Sequence, residues 1–122
     1  MSQYNKGAVY ERELMAILSK KGFAVVRIAG SGKARSEQPD LIASDSNILL
    51  GIECKFSSNN YKTVSKEQIN ELIRFSIDFG CKPILALRFL HCEWKFLELK
   101  DFTDKNINIK KNDSLKTINE LI

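Results

Sequence analysis

The sequence has little of what small proteins use as staples. Its 122 residues hold three cysteines, Cys54, Cys81 and Cys92, an odd number with no C-x-x-C spacing. A disulfide framework and a thiolate zinc site are therefore not expected, and reduced thiols fit an intracellular protein. Cys81 and Cys92 are the one pair that merits a check for a bond. A single histidine, His91, has no second imidazole with which to share a metal or a proton, and is read as a turn residue. The longest apolar runs, "NILLGI" and "PILAL", are too short to span a bilayer. The N-terminus lacks the basic-then-apolar layout of a secretory leader, so no membrane contact and a cytoplasmic location are expected. Repeats, low-complexity tracts and linker-like stretches are missing too.

What is present is the composition of a soluble globular protein, 43% hydrophobic and 28% charged. The length suits one domain, residues 1–122, with a core of its own. The net charge of +4 is unevenly placed. Residues 1–66 carry ten Lys and Arg against six Asp and Glu, whereas residues 67–122 carry nine of each. All of the excess positive charge lies in the first half, which points to a polyanion, nucleic acid before membrane.

Residues 6–21 read as a helix, with Ala8, Glu11, Leu14, Met15 and Leu18 on one face and Gly22 as the stop. Strands are expected at 23–29, 40–44 and 48–56, the last two joined by a turn at 45–47, followed by a polar connection "SSNNYKT". A second helix starts at Ser65, with Gln68 completing an S-x-x-Q capping box, and stops at Gly80. Strands at 83–89 and 93–99 follow, Phe89, Trp94 and Phe96 alternating into the core, then a short terminal helix around "SLKTINELI". The order αβββαββ(α) predicts an α/β fold, a mixed central sheet flanked by helices. On the second helix, Leu72, Phe75 and Phe79 form a stripe distinct from Ile69, Ile73 and Ile77, so it is expected to be apolar on two sides.

One strand carries an anomaly. In "GIECKF" (51–56), Ile52, Cys54 and Phe56 point one way, while Glu53 and Lys55 share the other face. They form either a structural ion pair or a site. Asp40, just after Pro39, would face this strand if 40–44 and 48–56 make a hairpin. Glu11 lies on the apolar face of the first helix, where a carboxylate is costly unless paired or metal-bound. The neighbouring Glu13 lies off that stripe and is read as solvated. Three carboxylates in a basic surround suit a hard cation such as Mg²⁺, and with a lysine they suit metal-assisted attack on a phosphodiester.

"PD" (39–40) with "ECK" (53–55) resembles the PD-(D/E)xK nuclease motif. With "KGAVYERELMAILSKKGFAVVRIAGSG", "PDLIA", "LIRFSIDFG" and "PILALRF", the match extends over about residues 6–99. There the chain resembles the archaeal Holliday junction resolvases, the Hjc/Hje group, also carried by archaeal viruses. The resemblance implies a restriction-endonuclease-like core and a structure-selective endonuclease for four-way DNA junctions. It implies Glu11, Asp40 and Glu53 as metal-binding acids for Mg²⁺ (Mn²⁺ substituting), Lys55 as the catalytic lysine and Ser31 as a catalytic loop serine. Lys6, Arg12, Arg27, Lys33, Arg35 and Lys62 become candidate DNA contacts. Leu72, Phe75 and Phe79 become the candidate interface of a homodimer that cuts two strands symmetrically, with replication or recombination proteins of the host as candidate partners. The chain departs from the family at Cys54, where a small apolar residue suffices, and in a "GSGKARSEQPD" loop shorter than in some members. Another PD-(D/E)xK repair or restriction-like endonuclease, or a non-catalytic junction-binding module, is the alternative.

Overall fold

The computed structural model describes residues 3–28 and 38–121. In chain order the elements are α1 (Gln3–Lys20), β1 (Ala24–Arg27), β2 (Leu41–Ser44), β3 (Leu49–Ser57), β4 (Tyr61–Val64), α2 (Lys66–Phe79), β5 (Lys82–Phe89), β6 (Lys95–Glu98), β7 (Ile107–Lys110) and α3 (Ile118–Leu121). Five strands make one mixed sheet in the order β1-β2-β3-β5-β6, in which only β3 and β5 are parallel. That pair needs a crossover, and α2 supplies it. No helix among the described residues is long and apolar enough to cross a membrane.

Local chemistry fixes the helix ends. Gly22 takes the left-handed conformation (φ 95°), and the Phe23 N–H returns to the Leu18 carbonyl at 3.1 Å. The Ser65 hydroxyl accepts the Gln68 N–H at 3.1 Å. At the other end of α2, Gly80 (φ 86°) donates its N–H to the Ser76 carbonyl. These are the expected start and stop signals, each stabilising its helix by about 1 kcal/mol.

The sheet separates two cores. On one face α1 lays Leu14 and Leu18 against Leu41, Ala43, Leu50, Ile52, Ile84 and Ala86. On the other, α2 lays Ile69, Leu72 and Ile73 against Leu85, Leu87 and Phe89. Because β3 residues alternate faces, Glu53 and Lys55, in register with Leu85 and Leu87, lie on the α2 side. Gly51 is on that side too. A Cβ there would stand 2.8 Å from the Cys81 Sγ and 3.5 Å from the Ser76 Oγ, so the missing side chain is what lets the end of α2 close onto β3.

Three expectations need correcting. The connection after β3 is not all loop, because Tyr61–Val64 is a strand paired antiparallel with Ile107–Lys110 in a separate ribbon. Both strands were missed because each is four residues long and mostly exposed, with Val64 and Ile109 the residues it buries deeply. Leu72 does not belong to an outer stripe. It is 4% exposed in the α2 core beside Ile69 and Ile73, while Ile77, expected to share their face, is 62% exposed. Glu13 is not merely solvated. Its Oε1 accepts the Trp94 Nε1–H at 2.7 Å and the Arg88 Nε–H at 3.0 Å, tying α1 to the turn after β5. Cys81 and Cys92 flank opposite ends of β5 and are free thiols. At roughly 3.3 Å per strand residue they lie far beyond disulfide reach.

Candidate active site

The site grows out of the β2–β3 hairpin. Asp45 makes its turn, its Oδ1 accepting the N–H groups of Asn47 and Ile48 at 2.9 Å each, with Ser46 at φ 76°. The hairpin register pairs Leu41 with Ile52. Asp40, just before β2, steps out of that register, since its N–H reaches the Ile52 carbonyl, yet it stays close enough for its charge to act on Glu53. The Asp40 main chain is gripped from both sides, its N–H donating to the Ile52 carbonyl and its carbonyl accepting the Ile28 N–H, both at 2.9 Å. Its side chain is held as well, since Oδ2 accepts the Cys54 N–H at 2.8 Å. On β3, the Lys55 Nζ lies 3.5 Å from the Glu53 Oε2 and donates to the Gln68 Oε1 at 3.2 Å.

Glu11 comes from the opposite face of the sheet, because α1 packs on the Ile52 side of β3. Its carboxylate is held by Arg27 of β1, with Nε 2.7 Å from Oε1. The three acids nevertheless feel one another. Burial pushes the Asp40 carboxyl up to about 6, and Glu11 adds to this, against the Cys54 N–H, Lys55 and Arg27, which pull it down. Burial pushes Glu53 up to about 7, helped by the charges of Asp40 and Glu11 and opposed by Lys55. Burial first, then the surrounding acids, drive the Cys54 thiol well above its ordinary range, so it stays protonated and is no nucleophile.

A crowd of partly desolvated carboxylates with raised pKa values is short of positive charge, which is the condition a hard divalent cation relieves. Among the described residues, however, no three His, Cys, Asp or Glu side chains converge closely enough to hold a metal ion. The expected three-acid set is gathered only as far as Asp40 and Glu53, with Glu11 tied to Arg27.

The family model described as archaeal Holliday junction resolvase (Hjc) matches residues 2–121. The chain belongs to this family. It is 47% identical over 87 residues to the crossover junction endodeoxyribonuclease Hjc of Methanocaldococcus jannaschii, covering 71% of this chain and 62% of that protein. To the Hjc of Archaeoglobus fulgidus it is 32% identical over 110 residues, 88% of this chain and 81% of that one. The crossover junction endodeoxyribonuclease of Sulfolobus islandicus rod-shaped virus 1 is 35% identical over 92 residues, 73% of this chain and 76% of that one. The 1.6 Å structure of A. fulgidus Hjc, a Holliday junction resolvase, superposes with a TM-score of 0.77 at 32% identity, over 84% of this chain and 85% of that one. The five-stranded mixed sheet with its helices is thus the resolvase fold, consistent with a restriction-endonuclease-like core. Membership of this nuclease family implies a divalent-metal requirement, which the Asp40–Glu53 oxygen donors fit.

The other residues expected in the resolvase site are dispersed. Arg12 is exposed on α1, and Lys62 is half-buried on β4. Arg27 is not simply a free phosphate contact, since it binds Glu11. Ser31, Lys33, Arg35 and the side chain of Lys6 lie outside the described residues. Phe75 and Phe79 stack with ring centroids 5.1 Å apart, and Phe79 is 53% exposed. Leu72, buried in the core between α2 and the sheet, drops out of any surface for a second copy. Sequence reasoning missed Gln68 as a neighbour of Lys55. The signal was its place three residues after Ser65, which was read for its capping value alone.

Proposed function

We propose that this protein is a divalent-metal-dependent crossover junction endodeoxyribonuclease that cuts four-way DNA junctions. The observation that carries the reading is the hairpin that brings Asp40 against β3, where its Oδ2 accepts the Cys54 N–H and its charge acts on Glu53, with Lys55 on the Glu53 face two residues on. Asp40 and Glu53 would hold Mg²⁺, or Mn²⁺ in its place, and Glu11 would join them on leaving Arg27. The bound cation would polarise the scissile phosphate and acidify a water. Lys55 orients the attacking water and offsets the negative charge that develops on the phosphoryl oxygens. Its ammonium is held between Glu53 and Gln68, so little reorganisation is needed when the phosphate arrives. Cys54 donates its main-chain N–H to Asp40 and keeps that carboxylate aimed across the hairpin. Ser31, in the stretch of sequence between β1 and β2, helps engage the scissile strand. In-line hydrolysis leaves 5′-phosphate and 3′-hydroxyl ends.

Lysines and arginines of the first half, Lys6, Arg12, Lys33, Arg35 and Lys62 with Arg27, contact phosphates, so binding weakens steeply with salt. Junction shape rather than base sequence sets the choice of substrate. Paired cuts come from a homodimer using the stacked Phe75 and Phe79, acting in the cytoplasm on replication or recombination intermediates. The test is cleavage of a synthetic four-way junction and of linear duplex with Mg²⁺ by wild type, Asp40→Asn and Lys55→Ala. Wild type should cut the junction alone and both variants should lose at least about a hundredfold in rate. Equal cutting of duplex and junction, or normal rates in both variants, would refute the reading.

A further inference from the structure

We infer that Gln68 is a positioning residue for Lys55, so that the first turn of α2 is part of the nuclease machinery as well as a helix cap. The inference rests on the nuclease reading above and adds to it a residue from a different element.

Three observations carry it. The Lys55 ammonium donates to the Gln68 Oε1 at 3.2 Å, and its other close acceptor among the described groups is the Glu53 carboxylate at 3.5 Å. Gln68 sits at the third position of α2, immediately above the α2-side face of β3 on which Lys55 lies. In a complete capping box the Gln68 side chain would reach back to the Ser65 N–H. Here only half of the box is used: Ser65 accepts the Gln68 N–H, while the Gln68 side-chain oxygen is spent on Lys55.

The residue type suits the task. Burial first, then neighbouring acids (Glu11 at Asp40; Asp40 and Glu11 at Glu53), already raise both carboxyls. A neutral amide oxygen fixes a flexible four-carbon ammonium without adding another negative charge to that crowd. Without it, Lys55 keeps only Glu53, and the lysine would fold down onto a carboxylate needed for the cation. Gln68 touches neither phosphate nor water in this arrangement. It acts through Lys55.

The test compares Gln68→Met, Gln68→Glu and wild type, each as the full chain with Mg²⁺ on a four-way junction built from four synthetic strands. Single-turnover cleavage rate, junction Kd measured with Ca²⁺ in place of Mg²⁺, and Tm are read for each. Gln68→Met keeps length and helix preference but removes the acceptor. It should slow cleavage by about tenfold, the worth of one hydrogen bond to a charged group, with Kd within about twofold of wild type by the same reasoning. Gln68→Glu keeps an acceptor at the same reach and should recover part of that rate, the remainder being lost to the added negative charge. Wild-type cleavage by Gln68→Met overturns the inference. So does a rate loss matched by an equal rise in Kd, or equal slowing in the Met and Glu variants, because a cap or a DNA contact would behave in those ways. A wild type that binds the junction without cutting it overturns the nuclease reading instead.

Discussion

If Asp40 and Glu53 are kept for a cation, the fold should be more stable without one of their charges. Asp40→Asn removes the charge and keeps both the shape and an oxygen that can accept the Cys54 N–H. The Asp40 carboxyl is raised from 3.8 to about 6 in the folded chain, chiefly by burial. At about 1.4 kcal/mol per pKa unit, ionising it in the fold costs about 3 kcal/mol more than ionising it in the unfolded chain. The charge-assisted bond from Cys54 is already part of that net shift, since it pulls the same carboxyl down. The variant should therefore gain about 3 kcal/mol in EDTA at about pH 8, where wild type carries the full cost. The sign follows from proton uptake. Between 3.8 and about 6 the folded state binds a proton that the unfolded state has released, so stability falls as pH rises through that window. Glu53, raised from 4.5 to about 7, adds in the same direction up to that pH. The advantage of the variant should accordingly shrink toward zero near about pH 4. Urea unfolding followed by the fluorescence of Trp94, the sole tryptophan and a buried one, reads this directly. Adding Mg²⁺ should stabilise wild type more than the variant, by mass action on the folded state. A variant no more stable than wild type at about pH 8 in EDTA, or an advantage that does not fade with acid, would refute the account.

Two further outcomes follow from the packing. Glu13→Ala leaves the buried Trp94 indole N–H and the Arg88 guanidinium without their acceptor; it should cost about 1–3 kcal/mol in urea unfolding, and a loss near zero would show that water replaces the carboxylate. Leu72→Ala should destabilise the protomer by about 2–5 kcal/mol as a core truncation, whereas Phe75→Asp should leave protomer stability nearly unchanged and shift sedimentation from dimer to monomer; a variant as dimeric as wild type places the interface elsewhere.

Much of the site was legible because it is local. Alternation along "GIECKF" put Glu53 and Lys55 on one face of a strand, and it does so whatever the rest of the chain does. The turn residues at 45–47 made the hairpin, and the hairpin carries Asp40 to β3 beside Glu53. The helix boundaries at Gly22, Ser65 and Gly80 were legible for the same reason, since each cap is closed by groups within a few residues. Glu11 was harder. Its place on the apolar face of a helix marked it as unusual, but not that the helix would pack on the opposite side of the sheet and hand its carboxylate to Arg27.

What the sequence alone determined, then, was the alternation, the caps and the motif that ties Pro39–Asp40 to Glu53–Lys55. Tertiary structure decided which side each helix took. It buried Leu72 and exposed Ile77, although both lay on apolar stripes, because a sheet offers a helix one contact face and only the residues turned toward Leu85 and Leu87 can use it. It also gave Glu13 to Trp94 and Gln68 to Lys55, over 81 and 13 residues of chain. Such partners are set by the docking of whole elements, and no periodicity within one element encodes the neighbour it will meet.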